Sequence, residues 1–169
     1  NFKNKCKNIK KNFIKIFLLI FLISNLIFSE NKKLNENFRI EDGEVYYINR
    51  KIEGADAKTF EVFEDDEYAK DKKNIYYGDK VLNEADPKSF KSLSKISSGL
   101  GKDKNSVYYI GKKIAEVNPK NFKVLKDYIF TDEKNVYLYG EKKEEIDLQT
   151  LKFFDDDSSY FFDKNNIYF

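Results

Sequence analysis

The heptapeptide Asp71-Lys72-Lys73-Asn74-Ile75-Tyr76-Tyr77 returns as Asp103-Lys104-Asn105-Ser106-Val107-Tyr108-Tyr109 and as Asp163-Lys164-Asn165-Asn166-Ile167-Tyr168-Phe169. Related segments lie at 43–52 and 134–143. Each copy carries one β-branched anchor residue directly after the polar turn, and these anchors are Val45, Ile75, Val107, Val136 and Ile167. Their spacings of 30, 32, 29 and 31 residues indicate a tandem repeat.

Other positions keep the same register around the anchor. An acid stands four residues before it, at Glu41, Asp71, Asp103, Asp132 and Asp163. An Asp or Asn stands eleven residues after it, at Asp56, Asp86, Asn118 and Asp147. An aromatic residue or Leu stands fifteen residues after it, at Phe60, Phe90, Phe122 and Leu151. Agreement of several columns at one period excludes a chance match.

Each copy predicts a β-hairpin, a short third strand and a helical turn. The Val/Ile-Tyr-Tyr run favours a strand, and the preceding Asp-Lys-Asn favours a turn because Asp and Asn side chains bond their own backbone. Gly78, Gly111 and Gly140 mark a second tight turn. Asp86-Pro87 and Asn118-Pro119 are typical of a helix N-cap followed by the first helical position.

A unit of about 30 residues cannot bury a sufficient core alone, so the units must stack on one another. We therefore expect a mainly β fold with short helical turns, in which tandem repeats form an open array. A partial β-propeller is the alternative, although propeller blades usually need roughly 40 residues. The predicted units are 41–70, 71–102, 103–131, 132–162 and a truncated fifth at 163–169.

The first 29 residues predict a secretory signal peptide. Six Lys and no acid lie within 1–15, the apolar run 16–28 follows, and Ser29 precedes the expected cleavage point. The apolar run is shorter than the roughly 20 residues that cross a bilayer, so we expect a mature chain that does not span a membrane. Residues 30–40 are predicted as a short linker. An uncleaved N-terminal membrane anchor is the alternative, and the expected location is the periplasm, the cell envelope or the medium.

Composition excludes several function classes. Without the leader the chain has 25 basic and 29 acidic residues, a net charge of −4, which disfavours nucleic-acid binding. The chain has no His, and its one Cys, Cys6, lies in the leader. A histidine-based metal site, a Ser-His-Asp triad and a Cys-His pair are therefore excluded. We expect no cofactor and no metal, and the mature part can form no disulfide.

The register resembles the DKNYY-repeat family of exported bacterial proteins, which is named for its Asp-Lys-Asn-Tyr-Tyr signature. The three heptapeptides that begin at Asp71, Asp103 and Asp163 carry this resemblance, together with the Ala-Asp-Pro-Lys-Ser-Phe segment at 85–90. The first copy departs from it with Glu41-Asp42-Gly43-Glu44, and the fourth departs at Leu138 and Lys143. The resemblance implies export and repetition, and it does not indicate any particular reaction.

The first aromatic residue after the anchor is Tyr in all five copies: Tyr46, Tyr76, Tyr108, Tyr137 and Tyr168. Because strand side chains alternate between faces, the anchor and the second aromatic share one face, which we interpret as packed core. The Tyr column then points the other way. Its constancy predicts that the hydroxyl is used, either in a ladder that bonds neighbouring repeats or turns, or in an exposed stripe that binds a protein or glycan.

The acids suggest turn chemistry more than metal or catalytic chemistry. The turn offers one carboxylate beside a Lys, whereas a calcium loop needs several oxygens in one short segment. A glycoside hydrolase needs two acids held in a cleft, whereas these acids recur periodically. The sequence predicts an exported, non-enzymatic repeat protein that presents an extended surface to a protein or glycan. A carboxylate-based hydrolase of envelope polymers and a structural envelope spacer are the alternatives. The oligomeric state is not predicted.

Overall fold

The computed structural model describes residues 12–19, 31–64, 67–154 and 160–169. Within the predicted leader, residues 12–19 form an exposed helix, and the predicted cleavage point after Ser29 lies outside the described residues. No helix in the described ranges has the length and apolar character needed to cross a membrane.

The rest of the chain is mainly β, in five small antiparallel sheets that do not close into a barrel. Sheet 1 contains β1 (Lys32–Lys33), β2 (Phe38–Glu41), β3 (Glu44–Tyr47) and β4 (Arg50–Lys51). Sheet 2 contains β5 (Glu61–Val62), β6 (Tyr68–Lys70), β7 (Ile75–Tyr77) and β8 (Lys80–Val81). Sheet 3 contains β9 (Lys91–Ser92), β10 (Leu100–Lys102), β11 (Val107–Tyr109) and β12 (Lys112–Lys113). Sheet 4 contains β13 (Lys123–Lys126), β14 (Ile129–Thr131), β15 (Val136–Leu138) and β16 (Glu141–Lys143). Sheet 5 contains β17 (Lys152–Phe153), β18 (Phe161–Phe162) and β19 (Ile167–Tyr168).

The strands of each sheet follow one another in chain order, and the predicted hairpin lies at the centre of each sheet. In sheet 2, Tyr76 pairs with Ala69 and Ile75 pairs with Lys70 across the Asp-Lys-Lys-Asn turn. The predicted mainly β repeat is therefore confirmed. In the described residues the strands are hydrogen-bonded within each sheet, so the sheets mark the boundaries between units. The sequence columns show the period but do not show where a unit begins.

Two details differ from the sequence-based expectation. The predicted linker 30–40 contains β1 and most of β2, because Lys32 and Lys33 pair with Ile40 and Arg39 as the outer strand of sheet 1. The predicted helical turn is a single hydrogen-bonded turn, in which the Ser89 N–H donates to the Asp86 carbonyl at 3.2 Å. A two-residue strand follows it directly, so each full sheet has four strands rather than three.

The core lies between consecutive sheets. At the first junction Val45 and Ile52 of the first repeat pack with Ala69 and Tyr76 of sheet 2, and each of these side chains is buried. Clusters formed largely by the equivalent repeat positions fill the other three junctions. The Val45, Ile75, Val107 and Val136 anchors are each at most 1% exposed, because the next sheet covers each of them. Burial of apolar area between units therefore stabilises the array, as expected for a repeat whose units do not fold alone.

Large and small side chains alternate across these junctions. Each junction pairs a residue that opens the second strand of one sheet with the residue of the next sheet that pairs with the first tyrosine. The pairs are Phe38 with Ala69, Tyr68 with Gly101, Leu100 with Phe130, and Ile129 with Phe161. The two smallest members, Ala69 and Gly101, lie with the rings of Phe38 and Tyr68, so a small residue accompanies a large ring at these two junctions and the core is filled.

Candidate functional site

The aspartate of the repeated turn is buried and joins two sheets. Asp71 is 3% exposed, and its Oδ1 accepts hydrogen bonds from the Lys73 and Asn74 N–H groups, both at 2.7 Å. Its Oδ2 accepts the Tyr76 hydroxyl at 2.7 Å and the Asp56 N–H, which precedes sheet 2, at 3.0 Å. One carboxylate thus closes its own turn and holds the segment that leaves the preceding sheet. We call this arrangement the aspartate clasp.

The clasp recurs at every junction. Asp103, Asp132 and Asp163 each accept two N–H groups of their own turn on Oδ1. Their Oδ2 atoms accept the N–H groups of Asp86, Asn118 and Asp147 at 2.8, 3.2 and 2.8 Å. They also accept the hydroxyls of Tyr108, Tyr137 and Tyr168 at 3.2, 3.2 and 3.0 Å. Two columns that the sequence singled out, the Asp column and the Tyr column, therefore form one hydrogen-bonded unit.

The Tyr column is not an exposed stripe. Tyr76, Tyr108 and Tyr137 are 0%, 2% and 0% exposed. Both faces of these strands are covered, because the anchor packs toward the next sheet while the first tyrosine packs toward the preceding one. Alternation along the strand therefore does not separate a core face from a solvent face here. This burial corrects the interpretation of the column as a binding surface and favours the hydrogen-bonded one.

The two terminal members of the column are only partly buried. Tyr46 belongs to sheet 1, which has no described sheet before it, and the Arg39 guanidinium lies 4.6 Å from the centre of its ring. The first copy also lacks the aspartate turn and uses Asp42-Gly43 instead, both with positive φ. Tyr168 belongs to sheet 5 and keeps its bond to Asp163. The clasp is thus complete only where one sheet follows another.

A second recurring feature lies at the opposite end of the hairpins. The turn after the Tyr-Tyr pair places Ile48, Ile110 and Tyr139 at φ values of 53°, 49° and 51°, in the left-handed region that favours glycine. These apolar side chains are 52%, 51% and 57% exposed. Gly78 holds the corresponding position in sheet 2. Gly78 is buried, so the exposed side chains are interrupted at sheet 2, and we call the surface formed by Ile48, Ile110 and Tyr139 the hairpin edge.

Half-buried tyrosines support the hairpin edge. A Cβ on Gly78 would lie 3.2 Å from the Tyr47 ring, and one on Gly111 would lie 2.9 Å from Cβ of Tyr77. The turn of each sheet therefore rests on the second tyrosine of the preceding sheet. At sheet 4 the Tyr128 and Tyr139 rings stack with their centres 4.0 Å apart and their planes within 12°. The edge therefore carries exposed apolar or aromatic side chains in sheets 1, 3 and 4. Charged groups border it, since Arg39 donates to the Ile48 carbonyl and Arg50 pairs with Asp79 at 3.0 Å.

The comparisons with known proteins address the repeat itself. The model of the DKNYY family matches residues 38–169 of this chain. The chain belongs to the DKNYY family. No curated protein and no solved structure is significantly similar to it. The match begins at β2, so it covers every clasp and the whole hairpin edge of this DKNYY-family chain.

Burial and hydrogen bonds in the clasp shift the pKa of Asp71, of Asp163 and of three of the tyrosines. Burial is the largest influence on the pKa of Asp71 and would raise it, but the hydrogen bonds from Asp56, Tyr76 and the turn hold that pKa below its ordinary value. The hydrogen bond from the Asp147 N–H is the main cause that lowers the pKa of Asp163 to about 2. Burial raises the pKa of Tyr76, Tyr108 and Tyr137 to about 12, and the adjacent carboxylate adds to this effect.

Alkaline solution should therefore unfold the DKNYY array. A tyrosine with a folded pKa of about 12 and an unfolded pKa near 10 contributes stability that is present below pH 10 and lost as the pH rises toward 12. We expect circular dichroism to show loss of the β signal over this interval, together with a late phase of phenolate absorbance. If all twelve tyrosines ionised near pH 10 while the β signal stayed constant, the clasp would not have its expected effect.

The donor set of the clasp explains its chemistry. Both oxygens of Asp71 already accept hydrogen bonds from N–H and O–H donors, so this carboxylate is held in place rather than presented to a ligand. The described part of the chain contains no group of three His, Cys, Asp or Glu residues that could hold a metal ion. The arrangement is suited to joining repeats.

Sequence reasoning named the Asp and Tyr columns but not the hairpin edge. Ile48, Ile110 and Tyr139 stand in line with Gly78, and apolar residues at a position that accepts glycine are a detectable signal. Their left-handed backbone and exposure became evident only from the hairpin geometry. The second tyrosines, which the sequence predicts to share the core face with the anchor, pack against the core clusters and are half-buried beneath this edge.

Proposed function

We propose that this DKNYY-family chain is an exported, non-enzymatic binding module that presents the hairpin edge to a macromolecular partner, a protein or a glycan of the cell envelope. The observation that supports the proposal is the recurrence of exposed apolar residues in a strained turn, at Ile48, Ile110 and Tyr139. A non-glycine residue in the left-handed region costs of order 1–2 kcal/mol. Such a cost at one repeated, exposed position favours a role outside the fold.

The direct test is a trade-off between stability and binding. Ile110→Asn and Tyr139→Asn each give the turn the Asn-Gly pair that two-residue hairpins prefer. We expect Ile110→Asn to leave the melting temperature unchanged or higher, with a gain of about 0.5–1 kcal/mol from the relieved turn. The double variant should bind its partner at least tenfold more weakly, as measured by co-sedimentation with purified cell-wall sacculi and by cross-linking to an envelope protein fraction.

A matched control uses the opposite side of the sheets. Lys91→Asn lies on the exposed first strand of sheet 3, away from the hairpin turn, and should change neither stability nor binding. Equal binding by the unmodified chain and by the Ile110→Asn/Tyr139→Asn variant would overturn the assignment of the hairpin edge.

The same sacculi test the hydrolase alternative. A cavity of about 380 Å³ beside sheet 1 includes Glu36 and Glu41 in its lining. Glu36 pairs with Lys33 at 2.7 Å, and Glu41 pairs with Arg39 at 3.2 Å. Since both acids have a basic partner, we expect no release of reducing ends from sacculi. Release of soluble fragments by the purified chain would favour the hydrolase. Intact sacculi that do not bind the chain would favour the envelope spacer.

A further inference from the structure

Polar contacts beside the aspartate clasp tie the sheets together in a repeated way. At the junction of sheets 2 and 3, Lys104 pairs with Asp86 at 2.8 Å, and the Lys104 N–H donates to the Ser89 hydroxyl at 3.3 Å. The same two ties occur at the junction of sheets 1 and 2 and at that of sheets 4 and 5. They are Lys72 to Asp56 and Thr59, and Lys164 to Asp147 and Thr150.

The junction of sheets 3 and 4 lacks both ties among the described residues. Asn118 stands where the other repeats have Asp, and Glu133 stands where they have Lys. Glu133 pairs instead with Lys123 at 2.5 Å, and its N–H donates to the Thr131 hydroxyl at 3.0 Å, both within sheet 4. The clasp bond from the Asn118 N–H to Asp132, at 3.2 Å, is also the longest of the four.

Backbone strain is concentrated at the same place. Outside the two-residue hairpin turns, the described non-glycine residues with positive φ are Glu116 at 59° and Glu133 at 69°. Glu116 lies in the segment that leaves sheet 3, and Glu133 lies in the clasp turn of sheet 4. Gly54 holds the position that corresponds to Glu116 in the first repeat. Glu116 still contacts sheet 4, because its carbonyl accepts the Tyr137 hydroxyl at 3.3 Å and its carboxylate pairs with Lys142 at 3.4 Å. In the described part of the chain the junction therefore keeps these contacts, lacks the two lysine ties, and carries a strained residue on each side.

The apolar core of this junction is intact. Leu100, Val107 and Ile114 pack with Phe130 and Tyr137, so the two sheets stay in contact in the ground state. We propose that the junction of sheets 3 and 4 is the hinge of the array, which opens before the other junctions while the blocks on either side stay folded. Sheets 1–3 form one block, and sheets 4 and 5 form the other.

This hinge crosses the hairpin edge. Ile110 belongs to the turn of sheet 3 and Tyr139 to the turn of sheet 4, so opening the junction changes the separation of two exposed apolar residues. The missing lysine ties and the strained backbone at Glu116 and Glu133 favour opening of this junction whether or not the hairpin edge binds a partner.

Native-state hydrogen exchange of the full chain, read by mass spectrometry, tests the hinge. The segment 115–122 should exchange faster than the equivalent segments 53–60 and 83–90. The double variant Asn118→Asp/Glu133→Lys restores the ion pair, and because exposed pairs of this kind contribute modestly, it should slow exchange at 115–122 by roughly two- to fivefold.

A mirrored variant is the matched control. Asp86→Asn/Lys104→Glu removes the pair at the junction of sheets 2 and 3, and it should speed exchange at 83–90 by a similar factor without changing 115–122. Equal exchange of 83–90 and 115–122 in the unmodified chain would overturn the proposal. So would a restored pair that leaves 115–122 unchanged, because the missing ties would then not control opening.

Discussion

Asp103→Ala should cost the array roughly 3–5 kcal/mol of unfolding free energy, the range expected when a buried charged acceptor is removed. Asp103 is 2% exposed and accepts four hydrogen bonds. Its loss leaves the Ser106 N–H and the Tyr108 hydroxyl without this acceptor in the interior between sheets 2 and 3. Denaturant unfolding followed by circular dichroism measures the loss, and hydrogen exchange should place it at 83–108.

Two substitutions control this experiment. Asp103→Asn keeps one acceptor oxygen for the turn N–H groups, so we expect a smaller loss, of about 1–2 kcal/mol. Asp79→Ala removes a carboxylate that pairs with Arg50 at the surface, at 3.0 Å, and should cost less than about 1 kcal/mol. If Asp103→Ala and Asp79→Ala had the same unfolding free energy, the clasp would not hold the sheets together.

Gly101→Val should destabilise the chain by about 3 kcal/mol, although Val is the better strand residue by up to about 1 kcal/mol. A Cβ at Gly101 would lie 2.5 Å from Cζ of Phe90 and 3.1 Å from Cζ of Tyr68. Both rings are buried between sheets 2 and 3, and the Tyr68 hydroxyl is held by the Gly99 carbonyl at 2.8 Å. The rings therefore have little freedom to move aside, and overpacking exceeds the gain in strand propensity.

A double-mutant cycle identifies the cause. Phe90→Leu removes the closest ring atom and copies Leu151, which occupies this column where the next sheet carries the larger Phe161. Phe90→Leu alone should cost about 1 kcal/mol, and together with Gly101→Val it should recover part of the loss. Strictly additive free energies in denaturant unfolding would contradict a steric match at this junction.

Much of the repeat could be predicted because local chemistry decides it. Asp103 closes its turn through N–H groups two and three residues ahead, so Asp-Lys-Asn-Ser is enough to place a hairpin before Val107. The Asp86 side chain likewise accepts the N–H of Lys88, two residues on, as its predicted capping role requires. These hydrogen bonds span few residues and do not depend on the neighbouring sheets.

The candidate site could not be predicted in the same way. The constant Tyr108 hydroxyl indicated a bond, and its partner Asp103 lies only five residues earlier. The burial of Tyr108, however, depends on contacts with Ile75 and Leu82 of the preceding repeat. A strand covered on both faces gives no alternating signal, so the column resembled an exposed one. The exposure of Ile110 likewise became evident only from the hairpin geometry, in which its side chain is 51% exposed.

By itself the sequence determined the period, the turns, the anchor residues and the mainly β character of this chain, since each depends on contacts within a few residues. Only the tertiary structure decided which face of each strand is covered and which residues form the hairpin edge. It also decided that the Asp and Tyr columns meet in one clasp, and that among the described residues the junction at Asn118 and Glu133 lacks the two lysine ties of the other junctions. The contacts that cover the strands join residues of consecutive repeats, such as Val45 and Tyr76, because neighbouring units must bury their apolar faces against each other.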